Sequence, residues 1–165
     1  MMKVIATFGF VGHLRPAPGT WGSAAAVVLA VAAYELGAWW LVPAGAVLAT
    51  LAGFIAVPQV IAGSDNKDPS EIVIDEVAGQ WLAMCFTVIP LARHGVSILD
   101  AWPAWLAPFL LFRLFDIWKP WLVGRADRRG DAAGVMLDDL WAGLFAGIVS
   151  MVLAGVYHGV VEPML

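Results

Sequence analysis

The chain has 165 residues, of which 61% are hydrophobic and 13% charged, with a mean hydropathy of +0.83 and a formal net charge of −4. Soluble domains carry about 25% charged residues, so this composition belongs to a lipid-embedded protein, and its acidic balance leaves no basic stripe for nucleic acid. The length suits one domain over 1–165, and a lone cysteine, Cys85, excludes an internal disulfide.

Residues 1–20 read as an interfacial or re-entrant segment. It is too short an apolar run for a signal peptide, and no small-residue cleavage site follows it. It runs into Pro18-Gly19-Thr20-Trp21-Gly22-Ser23, where Thr20 or Ser23 is in place to cap a helix. Apolar runs then cover 22–42 and 44–62, split at Pro43, followed by 77–92, 101–118 and 140–157. Each approaches the roughly 17–25 residues of a bilayer-spanning helix. The expected fold is therefore all-α: a polytopic membrane bundle of about five helices plus the N-terminal segment.

Loop charge orients this bundle. With the N-terminus cytoplasmic, Lys3, Arg15, Lys67, Lys119, Arg125, Arg128 and Arg129 all fall inside, and only Arg93 falls outside. Trp21, Trp118, Trp121 and Trp141 then mark the inner interface, and Trp39, Trp40, Trp102 and Trp105 the outer one. The acid-rich loops, 63–76 and 119–139, share the cytoplasmic side.

Three constellations carry chemistry. In the first, Asp68, Glu71 and Asp75 fall on one face if the stretch is helical, and Glu76 adjoins them at the entrance of an apolar helix. Dipole-favoured acids at a helix start are the ordinary explanation, but acids near membrane depth usually have a task, and carboxylate oxygens are what Mg²⁺ takes as ligands. In the second, Arg113, Asp116 and Lys119 recur every three residues, and Pro120 ends the helix. Two cations sharing one acid leave a positive charge to spare, which suits a phosphate. The third repeats the first: a Gly-containing approach from Gly130, then Asp138-Asp139, then an apolar helix.

His13, His94 and His158 are scattered away from these acids, and Glu35 is read as an outer-leaflet residue packed inside the bundle. No Asp-rich transferase signature, histidine-nucleophile phosphatase motif or Asp-x-Asp-x-Thr/Val loop occurs. Acids and cations without a nucleophile fit metal-activated water attacking a phosphate. A small cation channel or transporter, or a non-catalytic scaffold of a lipid-synthesis complex, is the alternative from another class. Against a conduction path, the polar residues gather at one side rather than along a pore.

Four stretches in order, Pro18–Ser23, Asp68–Trp81, Phe112–Trp121 and Gly134–Gly143, make the sequence closely resemble the phosphatidylglycerophosphatase A family. The resemblance implies an all-helical, Mg²⁺-dependent phosphatase of the bacterial inner membrane. Its substrate would be the phospholipid phosphatidylglycerophosphate, its product phosphatidylglycerol, and its site would face the cytoplasm. On that reading Asp75, Glu76, Asp138 and Asp139 are the catalytic acids and metal ligands, with Asp68 and Glu71 as further candidate ligands. Lys119, Arg113, Asp116, Thr20 and Ser23 form the phosphate-binding set.

One spacing joins the acid pairs. Asp75 is followed at four-residue steps by Gly79 and Ala83, and Asp139 by Gly143 and Gly147. Small residues at this spacing let membrane helices approach closely, so the two faces are expected to pack together and draw Asp75 and Asp139 to one place.

Overall fold

The computed structural model describes residues 1–63, 66 and 68–161, so Lys67, one of the orienting charges, lies outside the described residues. The described residues form helices and no strand. A short helix, α1 (Met2–Ala6), and a 3₁₀ turn (Val11–His13) precede five long helices and one short one. These are α2 (Pro18–Glu35), α3 (Leu41–Ile61), α4 (Ile74–His94), α5 (Pro103–Trp118), α6 (Trp121–Asp127) and α7 (Ala132–Val156).

Local chemistry sets the helix limits. Pro18 and Pro103 open α2 and α5, where a missing N–H costs nothing. Gly95, at φ 65°, closes α4 in the left-handed conformation that glycine adopts without penalty. Asp131 caps α7 by accepting a hydrogen bond from the Gly134 N–H at 2.7 Å. Neither Thr20 nor Ser23 caps α2; that helix already starts at Pro18, and the Ser23 hydroxyl instead donates to the Gly19 carbonyl at 2.9 Å.

Among the described residues three helices, rather than the expected five, have the length and apolarity to cross a membrane: α3, α4, and α7 with its continuation to Gly159. The first of these is 21 residues long, about 32 Å at 1.5 Å per residue, against roughly 30 Å of hydrocarbon. By contrast α5 has 16 residues, about 24 Å. Polar and small residues from Pro18 to Ser23 occupy the first turns of α2, and Glu35 ends it. The break between α2 and α3 falls at 36–40, not at Pro43, which sits in the first turn of α3 where proline removes no intrahelical bond.

Helix α4 is the centre of the bundle, packed on α2, α3, α5 and α7. Trp81 ties it to α2 by donating its indole N–H to the Ala26 carbonyl at 2.7 Å. Against α7 it makes the glycine contact expected from the sequence. A Cβ added at Gly143 would run into the Gly79 carbonyl oxygen, and one at Gly79 would meet the Asp139 carbonyl. Ala83, Ala142 and Ala146 continue this seam, fully buried with Phe112 and Val123. Large apolar side chains are left facing outward on α3 (Val47, Leu48, Leu51, Ile55) and α7 (Met151, Val152, Leu153, Val156). Surfaces of that kind mark an interaction with lipid or protein.

Candidate active site

The start of α4 is held from three sides. The Val73 N–H, just ahead of the helix, donates to the Ala6 carbonyl at 2.9 Å. Gly12 packs against the Glu71 carbonyl, and Gly22 sits where a Cβ would come within 2.8 Å of the Val73 side chain. Asp75 and Glu76 therefore enter the bundle from a braced approach, as the second and third residues of α4.

Around them lies a cavity of about 270 Å³. Thr20 and Gly19 come from α2, Asp68, Ser70 and Ile72 from the approach, Asp75 and Glu76 from α4, Arg113 and Asp116 from α5, and Val135, Asp138 and Asp139 from α7, with Lys119 after α5. Four segments far apart in sequence thus converge at one end of the bundle. Asp138 and Asp139 are not at a helix entrance, since α7 begins at Ala132 and carries them about two turns in. They are 7% and 3% exposed, and Asp75 is 6% exposed.

Electrostatics sort these groups. Six carboxyl groups (Asp68, Asp75, Glu76, Asp116, Asp138 and Asp139) face two cations, Arg113 and Lys119. Arg113 Nη1 pairs with Asp116 Oδ2 at 2.7 Å and lies 3.4 Å from the Ser23 hydroxyl. The Lys119 ammonium pairs with Asp138 Oδ2 at 3.0 Å and also with Asp127. Burial works against the lysine's charge, but the Asp127 and Asp138 carboxylates outweigh it and raise its pKa. Four of the six have no ion pair among the described residues: Asp68, which is exposed, and Asp75, Glu76 and Asp139. The last three each offer a carboxylate oxygen within 4.8 Å of the others, while Asp139 Oδ1 and Glu76 Oε2 are buried without a hydrogen-bond partner. Buried acids packed together without a cation are strongly unfavourable. Their hard oxygen donors fit a Mg²⁺ ion, which takes oxygen ligands.

The sequence-predicted residues divide accordingly. Asp75, Glu76, Asp138, Asp139, Arg113, Asp116, Lys119, Thr20 and Asp68 all line the cavity. Ser23 is buried and reaches it only through Arg113. Glu71 does not line it, because the stretch before Ile74 is turns rather than helix, so the shared face with Asp75 never forms. Lys119 pairs with Asp127 and Asp138 rather than sharing Asp116 with Arg113. Asp127 escaped the sequence reading. It ends α6 inside a stretch taken for a loop, and also lines a smaller cavity of about 50 Å³ with Asp68, Asp131 and Asp138. Gly19 is equally part of the design: a Cβ there would collide with the Glu76 carboxylate.

Fold and site together define a helical protein with long apolar helices and an acid-lined, cation-walled pocket at one end of its bundle. The chain belongs to the phosphatidylglycerophosphatase A family, a phosphatase family, whose pattern matches residues 4–154. A Bacteroides thetaiotaomicron protein named "Putative phosphatidylinositol-3-phosphatase" is 35% identical over 154 residues, covering 90% of this chain and 91% of its own. Proteins named phosphatidylglycerophosphatase A from Haemophilus influenzae and Escherichia coli are each 33% identical, over 139 and 144 residues. They cover 84% and 86% of this chain and 79% and 77% of their own lengths. No solved structure matches the chain significantly.

Proposed function

We propose that this enzyme is a Mg²⁺-dependent lipid phosphatase that removes the terminal phosphate of phosphatidylglycerophosphate to give phosphatidylglycerol. We infer further that it works at the cytoplasmic face of a bacterial inner membrane, as a step of phospholipid synthesis. The observation that carries the reading is the division of the pocket into three clustered acids without an ion pair, Asp75 and Asp139 buried and Glu76 partly so, and a wall bearing Lys119 and Arg113. The family and two of the relatives named above support the substrate. Exposed Trp21, Trp118 and Trp121 near the pocket end, with Trp39, Trp40 and Trp102 near the other, support a membrane position with the pocket at one interface.

In this reading Asp75, Glu76 and Asp139 would hold the ion, and Asp138 and Asp68 line the same pocket. When bound there, Mg²⁺ supplies Lewis-acid polarisation of the phosphate and a more acidic water. The chain's own groups do the rest. Lys119 and Arg113 receive the phosphate oxygens and offset the charge that builds on them in the transition state. Asp116 keeps the Arg113 guanidinium turned toward the pocket, and Asp138 and Asp127 do the same for Lys119. One of the pocket carboxylates accepts the proton that the attacking water gives up. Thr20 can hydrogen-bond the head group, whose acyl chains stay in the bilayer.

Purified protein in detergent should release phosphate from phosphatidylglycerophosphate with Mg²⁺ and not with excess chelator. Phosphatidylinositol 3-phosphate serves as the competing substrate. Asp139→Asn should lower turnover below detection while the helical circular-dichroism signal and melting temperature are retained. Phosphate release that persists in chelator, or an active Asp139→Asn variant, would overturn the metal reading; preference for the inositol lipid would overturn the substrate.

A further inference from the structure

One buried group has no place in the reading above. Gln80 is completely buried, and neither its carboxamide oxygen nor its nitrogen has a hydrogen-bond partner among the described residues. A carboxamide buried in that way costs free energy, and an apolar residue of the same shape would relieve the cost. Its surroundings supply a reason for keeping it. Gln80 follows Glu76 by four residues on α4, so the two share a face one turn apart. Across that face stand α2 and α5: a Cβ added at Gly19 would meet the Glu76 carboxylate and lie 3.3 Å from Arg113 Nη1. Two neighbours in this layer also lack partners, Glu76 Oε2 and Arg113 Nε. The first accepts hydrogen bonds only, the second donates only, and a carboxamide does both.

We propose that Gln80 is a positioning residue for the phosphatase site. Its NH₂ group donates to Glu76 Oε2 and its carbonyl accepts from Arg113 Nε–H, by a side-chain rotation or through one water. One side chain then fixes both a metal-binding acid and a phosphate-binding cation. Nothing in the pocket lining includes Gln80, so it acts through these two residues and touches neither ion nor substrate. Groups that orient metal ligands in this way typically change metal affinity or activity by about 10–100-fold when removed.

The inference rests on the metal-dependent phosphatase reading, and two measurements separate the two. The affinity of the detergent-solubilised protein for Mn²⁺ alone is read from free Mn²⁺ by electron paramagnetic resonance, and kcat and KM are read with phosphatidylglycerophosphate. Gln80→Met, close in shape and unable to hydrogen-bond, should melt at or above the wild-type temperature. It should bind Mn²⁺ roughly tenfold more weakly and lose kcat/KM by at least that factor. Gln80→Asn, which keeps the carboxamide, should recover part of both. Wild-type Mn²⁺ affinity and kcat/KM in Gln80→Met would overturn the assignment. So would failure of both variants to fold, which would make Gln80 structural. A wild-type protein that neither binds Mn²⁺ nor releases phosphate would instead bring down the phosphatase reading, and the role of Gln80 with it.

Discussion

The two ends of the bundle treat carboxylates in opposite ways. At the far end, Glu35 closes α2 and accepts two hydrogen bonds on one oxygen, from the Ser97 hydroxyl at 2.8 Å and the Ile98 N–H at 3.0 Å. Beside it the Tyr34 hydroxyl donates to the Val96 carbonyl at 2.6 Å. That acid is exposed, provided with donors and finished as a structure; it clips the α4–α5 connection onto α2. At the pocket end, Asp75, Asp138 and Asp139 are buried, the acids outnumber the cations, and Glu76 and Asp139 keep oxygens without partners. A fold that satisfies an acid at one end and withholds donors at the other is not short of donors. The unsatisfied end is built for something that arrives, and the contrast can be broken or sharpened by mutation.

The largest effect is expected where the pocket end depends on backbone contact. Gly143 touches Gly79 so closely that any side chain there meets the Gly79 carbonyl carbon at 2.8 Å and its Cα at 3.0 Å. Gly143→Leu must push α7 from α4 and part Asp139 from Asp75 and Glu76, though it alters no charge. Phosphate release should fall below detection, and overpacking should cost about 1–3 kcal/mol or more in a denaturation assay. Gly155, further along α7, has nothing within 4 Å, so Gly155→Leu should leave activity and melting temperature near wild type. Equal effects of the two substitutions would break the comparison.

That glycine seam was legible in the sequence, because four-residue spacing on a helix fixes a face whatever the rest of the fold does. The convergence of the four motif stretches was legible for a similar reason, each lying at the same end of an apolar run. What the sequence hid was set by tertiary context or by helix length. Hydropathy does not separate the 16-residue α5 from a helix long enough to span, so five spans were expected where three helices among the described residues qualify. The first residues of α7 lie between the charged run ending at Asp131 and the Asp138-Asp139 pair, so a helix of 25 residues was read as loop as far as Asp139. Glu71 was grouped with Asp75 on the assumption of a helix, but the backbone there runs as turns until Ile74. The pairing of Asp127 with Lys119 spans a bend at Lys119, φ 51°, that no periodicity announces.

An intermediate effect is expected at the cation wall. On the proposed reading Lys119→Ala removes a charge-assisted contact to phosphate worth about 1.5–3 kcal/mol, so kcat/KM should fall about tenfold to a hundredfold. Because a phosphate contact acts in both the ground and transition states, KM should rise as well as kcat fall. The substitution also releases Asp127 and Asp138 from their shared partner. A kcat/KM within about twofold of wild type would remove Lys119 from the phosphate site and leave it as a structural tie between α6 and α7.

The smallest effect is expected at the far end, where it tests whether a satisfied acid is only structural. Glu35→Ala loses both hydrogen bonds to the carboxylate and frees the Ser97 hydroxyl and Ile98 N–H. The Ser97 hydroxyl is near the surface and can turn to water, whereas the Ile98 N–H is partly enclosed beside a completely buried side chain. The net cost should therefore be close to that of one ordinary hydrogen bond, about 1 kcal/mol, read as a small fall in denaturation midpoint. Glu35→Gln keeps an acceptor oxygen and should lose less. Neither change should move kcat/KM by more than about twofold, because Glu35 lines neither the pocket nor its supports. A Glu35→Gln variant with wild-type stability but impaired turnover would show that the far end also takes part in function, and the division between a finished acid and waiting ones would fail.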